Sequence, residues 1–120
     1  MPTAETTLRV RDASQGIRII DIEGEITAAS DDSLRQCHEQ AAQGAVRAVI
    51  LNFTDLDYMN SGGIGLVVTM LIRAQRSGHR LYAFGLTEHY REIFSLTRLD
   101  EAIGILDDET AAIAAAADGG

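Results

Sequence analysis

Cysteine is almost missing from this chain. Cys37 stands alone, which excludes an internal disulfide and fits a reducing compartment. No apolar run approaches the ~20 residues needed to cross a bilayer as a helix. The opening stretch, MPTAETTLRV, has no basic segment followed by an apolar one. No secretory signal is read there, and the expected location is the cytoplasm. Basic residues are few, 10 against 18 acidic, for a formal net charge of −8. That balance disfavours nucleic acid and anionic membrane as direct partners and suits a basic protein surface. Internal repeats, linkers and low-complexity segments are also lacking, apart from an alanine run near the C-terminus that reads as a helix.

What is present suffices for a core. The 120 residues are 46% hydrophobic, an ordinary globular composition, and are read as one domain, 1–120, with its core over about 6–117. Alternation over Thr6–Arg11 and again over Ile17–Ile22, around a turn at Ala13–Gly16, predicts a β-hairpin with an edge strand. Gly24-Glu25-Ile26-Thr27 closes the second strand. Ser30, Asp31 and Asp32 then offer caps and favourable charge for a helix whose Leu34, Cys37, His38 and Ala41 share a face. Gly44 stops it. Val46–Phe53 is a buried strand, with Asp55 and Asp57 expected to turn the chain.

A long apolar helix over Ser61–Ser77 follows, opened by Asn60-Ser61-Gly62-Gly63. Ile64, Val67, Val68 and Leu71 make its predicted core stripe, whereas Leu66 and Met70 fall roughly opposite. That second pair is either covered by the chain itself, the better-supported alternative, or offered to a partner. Arg80–Phe84 is a strand and Gly85 ends it. Thr87 caps a short helix with Tyr90, Ile93, Phe94 and Thr97 on one face. Ile103–Leu106 is a last strand, and Asp107-Asp108-Glu109 starts a terminal helix. The order β-β-α-β-α-β-α-β-α predicts an α/β fold, with a mixed, mainly parallel sheet, an antiparallel N-terminal edge strand and about four helices.

The chemistry concentrates at Ser61. Short side-chain oxygens at Asn60 and Ser61 suit an N-cap, and Gly62 and Gly63 leave the first turn without side chains. A serine nucleophile would need a base, and His38, His79 and His89 are not placed to serve it. The nucleophile-elbow pattern also fails, because Met59 stands where the first glycine belongs. A Walker-type phosphate cradle fails for want of a Lys-Ser/Thr pair, since Leu66-Val67 follows Gly65. A bare helix N-terminus can still hold an anion, so nucleotide contact stays open as a lower-ranked alternative. The histidines and Cys37 form no ligand pair at zinc spacing, so neither metal nor cofactor is expected. Ser61 as a phosphoacceptor survives these tests. A phosphate there adds about −1.5 to −2 charges at a helix N-terminus that tolerates them. Its effect would fall on whatever docks over the loop.

Three stretches resemble the STAS domain, the fold of bacterial anti-sigma-factor antagonists: Gly24–Thr27, Asp57–Gly65 and Ile93–Asp100. The second is similar to that family's phosphorylation loop, usually D-S-S-G-L-G. The resemblance covers about Leu8–Ala116. It implies a non-enzymatic domain that captures a GHKL-type serine kinase acting as an anti-sigma factor. The kinase would phosphorylate Ser61 and dissolve the complex, and a PP2C-type phosphatase would reset it. Partner contacts are then expected from Gly24, Glu25, Thr27, Asp57, Asn60, Ser61, Gly62 and Gly63, joined by Leu66 and Met70. Two residues depart from the family pattern: Asn60 stands for the usual Asp, and Gly62 for the second Ser. Related STAS domains act without this cycle in stressosome scaffolds, transporter tails and lipid-transport complexes, and the alternative of a non-phosphorylated interaction or scaffold module stays open.

Overall fold

The computed structural model describes residues 6–119. Its elements run β1 (Thr6–Ser14), β2 (Ile17–Ile26), a 3-10 turn (Ala28–Ser30), α1 (Asp31–Ala41), β3 (Ala48–Met59), α2 (Ser61–Ser77), β4 (Arg80–Phe84), α3 (Glu88–Leu96), a second 3-10 turn (Leu99–Glu101), β5 (Gly104–Leu106) and α4 (Glu109–Asp118). The five strands lie in the order β1-β2-β3-β4-β5. β1 pairs antiparallel with β2, and the remaining neighbours are parallel. The expected mixed α/β architecture is therefore the one observed.

That strand order dictates where the helices go. Each parallel crossover from β2 to β5 steps the same way along the sheet. Right-handed connections then put α1, α2 and α3 on one face. Strand residues Ile20, Ile22, Val49, Leu51, Phe53 and Leu81 fill that face against Leu34, Val67, Leu71, Tyr90 and Phe94. The alternate residues Ile17, Ile19, Ala48, Ile50, Tyr82 and Phe84 point the other way and pack under Ala112 and Ala116 of α4. A strand buried on both faces explains why Ile19 and Ile20, adjacent in the chain, are both wholly inaccessible.

Several boundaries differ from expectation. β1 runs on through Ala13 and Ser14, leaving the reversal to Gln15 and Gly16, with Gly16 at φ 78°. Asp55 and Asp57 do not turn the chain. They lie inside β3, because β2 also continues and offers Glu23↔Asp55, Gly24↔Leu56, Glu25↔Tyr58 and Ile26↔Met59 as register partners. Pairing across strands overrides the poor β-propensity of aspartate. Ser30 precedes α1 but makes no capping bond. Thr27 caps the 3-10 turn instead, accepting from Ala29 N–H while the Ser30 hydroxyl accepts from Thr27 N–H at 3.1 Å. The face of α1 agrees with the spacing: Leu34, Cys37, His38 and Ala41 are its buried residues.

Candidate functional site

The site arises where β3 outruns β4. The last β3–β4 pair is Asn52↔Phe84, after which Gly85 turns the chain away at φ 83°. A side chain at Gly85 would put Cβ 2.5 Å from Thr54 Oγ1, so glycine is required by close approach as well as by φ. β3 goes on to Met59, paired only with β2. The two strands thus project past the sheet, and at their carboxyl ends the chain enters α2. Ligands and partners of open α/β sheets are met at such carboxyl ends.

The backbone entering α2 is held from three directions. Met59 N–H donates to the Tyr90 hydroxyl of α3 at 2.8 Å, in a buried contact. Asn60 N–H donates to the carbonyl of Ile26, the end of β2, at 3.3 Å. Asn60 Oδ1 accepts from Gly63 N–H at 3.0 Å, the N-cap bond that its residue type suggests. Ser61 is the first helical residue and is exposed, and none of the described side chains hydrogen-bonds to it. The Ser61 and Gly62 N–H groups have no partner among the described residues, at the positive end of a 17-residue helix.

The glycines of this turn serve the chain's own packing. A Cβ on Gly63 would sit 2.2 Å from the Ile26 carbonyl oxygen, and one on Gly62 would lie 3.0 Å from Ala28 N. Their missing side chains let α2 settle on the exit of β2. The glycine with open space above it is Gly65, one turn into the helix, where a Cβ would meet nothing within 4 Å. Clearance for a docking molecule therefore lies over Ser61 and Gly65, and Gly62 and Gly63 fix the helix beneath.

Most of the predicted contact residues converge here. Gly24, Glu25 and Thr27 lie at the end of β2, with Glu25 opposite the exposed Tyr58 and Thr27 directly before the Ala28 that Gly62 touches. Asp57 is exposed on the neighbouring strand. Leu66 is half-buried. Met70 requires a correction, since only 3% of its surface is accessible and it belongs to the core. Leu34 and His38 of α1 line a narrow crevice with Leu66, Thr69, Met70 and Arg73 of α2. α1 is thus the cover over Met70, and the core stripe of α2 is Val67, Met70, Leu71 and Ala74, with Ile64 and Val68 only partly buried.

The histidines do other work. His38 and His79, both buried, face each other with Nε2 atoms 3.0 Å apart, one donating and the other accepting. Burial, then His79 and Arg73, pushes the His38 pKa down to about 4, and burial also lowers that of His79. His79 follows the α2 C-cap, about 25 Å along the helix axis from Ser61 at 1.5 Å per residue. His89 is exposed and packs edge-on against Tyr90. The Cys37 thiol is pushed up to about 11 by burial and stays protonated. Among the described residues no group of three or more His, Cys, Asp or Glu side chains is arranged to hold a metal ion, and no helix is long and apolar enough to cross a membrane.

A second polar cluster lies on the α4 side of the sheet. Arg11 donates to Asp21 at 2.6 and 2.9 Å and to Glu109 of α4 at 2.8 Å, and Asn52 Nδ2 donates to Asp21 at 2.8 Å. Burial would raise the Asp21 pKa, but the Arg11 and Asn52 bonds and the nearby Arg11 and Arg9 charges outweigh it and hold the carboxyl low. The contacts of Tyr90, Ile26, Asp21 and Asn52 are not legible in the sequence, because each is made with a neighbour distant in the chain.

Comparison with known proteins agrees with this geometry. The family model described as STAS domain matches residues 10–112. The anti-sigma-B factor antagonist of Staphylococcus aureus (strain NCTC 8325 / PS 47) is 23% identical over 86 residues, covering 72% of this chain and 80% of that protein. Among solved structures, an anti-sigma factor antagonist from Mycobacterium paratuberculosis superposes with a TM-score of 0.81 at 18% identity, covering 95% of this chain and 96% of that one. The Bacillus cell fate determinant SpoIIAA in its phosphorylated form gives a TM-score of 0.68 at 24% identity, with 88% and 96% covered. At these identities the structural likenesses speak for the fold.

Proposed function

Because this chain belongs to the STAS domain family, we propose that it is an anti-sigma-factor antagonist. In this reading it captures a GHKL-type serine kinase acting as an anti-sigma factor and is released when that kinase phosphorylates Ser61. A PP2C-type phosphatase returns it to the binding state. One observation carries the reading: Ser61 is the exposed first residue of a firmly held helix, and its own N–H and that of Gly62 have no partner among the described residues. A phosphate there meets favourable charge from its own helix. The switch therefore acts on the partner through bulk and charge and leaves the domain folded. The curated relative named as an anti-sigma-B factor antagonist and the solved SpoIIAA in a phosphorylated form support the same reading. With Gly62 in place of a second hydroxyl, the loop offers a single acceptor.

The test is incubation with the cognate kinase and ATP, followed by intact mass and peptide mapping. One phosphate on Ser61 is expected, and its absence with an active kinase would sink the proposal. Ser61→Asp should weaken kinase binding at least tenfold, about 1.4 kcal/mol. It should leave the thermal midpoint within about 2 °C of wild type, as for a surface change of roughly 0.5 kcal/mol or less. Ser61→Ala should bind as wild type does.

A further inference from the structure

We infer that Tyr90 is a positioning residue for Ser61, setting through its hydroxyl the backbone on which the acceptor is presented; this rests on Ser61 being the phosphoacceptor. The argument begins with a missing strand. Inside a parallel sheet, a strand's amides point alternately to the two neighbours. β4 stops at Phe84, so the β4 side of β3 beyond Asn52 has no strand to bond. Met59 is nevertheless buried, and an orphaned buried N–H is costly. The Tyr90 hydroxyl fills that place, accepting from Met59 N–H at 2.8 Å.

The position of this bond gives it more than a structural use. Met59 is two residues before Ser61, and Asn60 between them is tied the opposite way, to Ile26 of β2. The peptide segment leading to the acceptor is therefore clamped between β2 and α3. Two of the anchors, the Ile26 carbonyl and the Asn60 cap, are built from the same ribbon and helix start. Tyr90 is the anchor that comes from a separate helix. Its ring is held independently, because Thr87 caps α3 by accepting from Tyr90 N–H and the ring is 8% exposed within the core. A phenylalanine ring would keep that packing and lose only the bond. Tyr90 bonds the Met59 amide and not the acceptor hydroxyl, so its effect is on how readily the loop is found in docking geometry.

Tyr90→Phe tests this with two readouts on the full chain. Hydrogen exchange should show faster exchange at the Met59 amide, with the amides of α1 and the sheet core unchanged. Phosphorylation by the cognate kinase with ATP should show KM for this protein raised on the order of tenfold, the equivalent of one buried hydrogen bond, at unchanged kcat. A merely structural role would leave KM and kcat alone while lowering the melting point. Unaltered Met59 exchange, or faster exchange with unaltered KM, would overturn the positioning role. A wild-type chain that takes no phosphate on Ser61 would overturn the acceptor reading and this role with it. A phosphorylated wild type beside an indistinguishable Tyr90→Phe variant would overturn the positioning role alone.

Discussion

The two faces of the sheet are built from the same strands and are held by different physics. On one face three helices bring Leu34, Val67, Leu71, Tyr90 and Phe94 onto isoleucines, leucines and Phe53. On the other a single ten-residue helix lays Ala112 and Ala116 over Ile17, Ile50 and Tyr82, and Arg11 ties its first turn to β1. Large side chains bury more apolar area per residue and leave larger cavities when cut back. The first face should therefore carry most of the stability. The second should behave as a cover whose attachment is local and partly ionic. Ser61 stands on α2, a helix of the first face, so the presentation of this proposed acceptor is anchored in the stronger core.

The sharpest way to break that comparison is to empty the first face. Phe94 is wholly buried and meets Phe53 edge-on, with ring centroids 6.2 Å apart. Phe94→Ala is expected to cost about 3–5 kcal/mol, measured by urea unfolding. A loss below ~1 kcal/mol would mean that the face collapses around the gap and is less tightly specified than its packing indicates. By contrast, Ala112 offers only a methyl group to be lost. Its replacement by glycine removes helix propensity worth about 1 kcal/mol and little burial.

The stronger face was also the more legible one. Leu34, Cys37, His38 and Ala41 repeat at three and four residues, and all four are buried. α2 and β4 have the boundaries expected of them. What the sequence concealed depended on pairings between distant segments. Asp55 and Asp57 look like turn residues because aspartate usually is one, and only the continuation of β2 makes them strand. Spacing alone sets Met70 opposite the core stripe, because the angle of α2 on the sheet cannot be read from α2 alone. At the candidate site, Ser61 and its Asn60 cap were legible from local chemistry. Tyr90 was legible only as a core residue, since the use of its hydroxyl depends on where β4 ends. The sequence shows that Gly62 and Gly63 carry no side chain, but that Ile26 and Ala28 occupy the space is a tertiary fact.

A milder perturbation acts through pH at the seam between α1 and the end of α2. His38 and His79 are held neutral there, with His38 near 4 against 6.5 for a free histidine. The unfolded chain therefore takes up protons before the folded one as pH falls. The contribution of the neutral pair is complete above pH 6.5 and is lost progressively as pH drops towards 4. Wild type should lose about 1–3 kcal/mol over that window beyond what carboxylate titration removes. His38→Leu together with His79→Leu should remove this slope, read as thermal midpoint against pH. Equal slopes in variant and wild type would show that the pair is not the acid-sensitive contact.

The smallest effect is expected on the second face. Arg11 makes two bonds to Asp21 and two to Glu109, the second of these a long one at 3.4 Å, and Glu109 is the first residue of α4. Arg11→Met keeps the aliphatic stem along the strand and removes the charge. Asp21 retains its bond from Asn52 and the nearby Arg9, so it is not left bare. The Arg11 and Glu109 side chains are 35% and 41% exposed, which screens the pair. The global cost should be only about 1 kcal/mol. Its distribution matters more than its size. Amides of α4 should exchange faster in the variant while those of α1, α2 and the central strands keep their protection. Added salt should loosen α4 in wild type and have little further effect in Arg11→Met. A loss of protection spread evenly over both faces would mean that α4 is an integral part of the core, and the division between a stability-bearing face and an ionically fastened cover would fail.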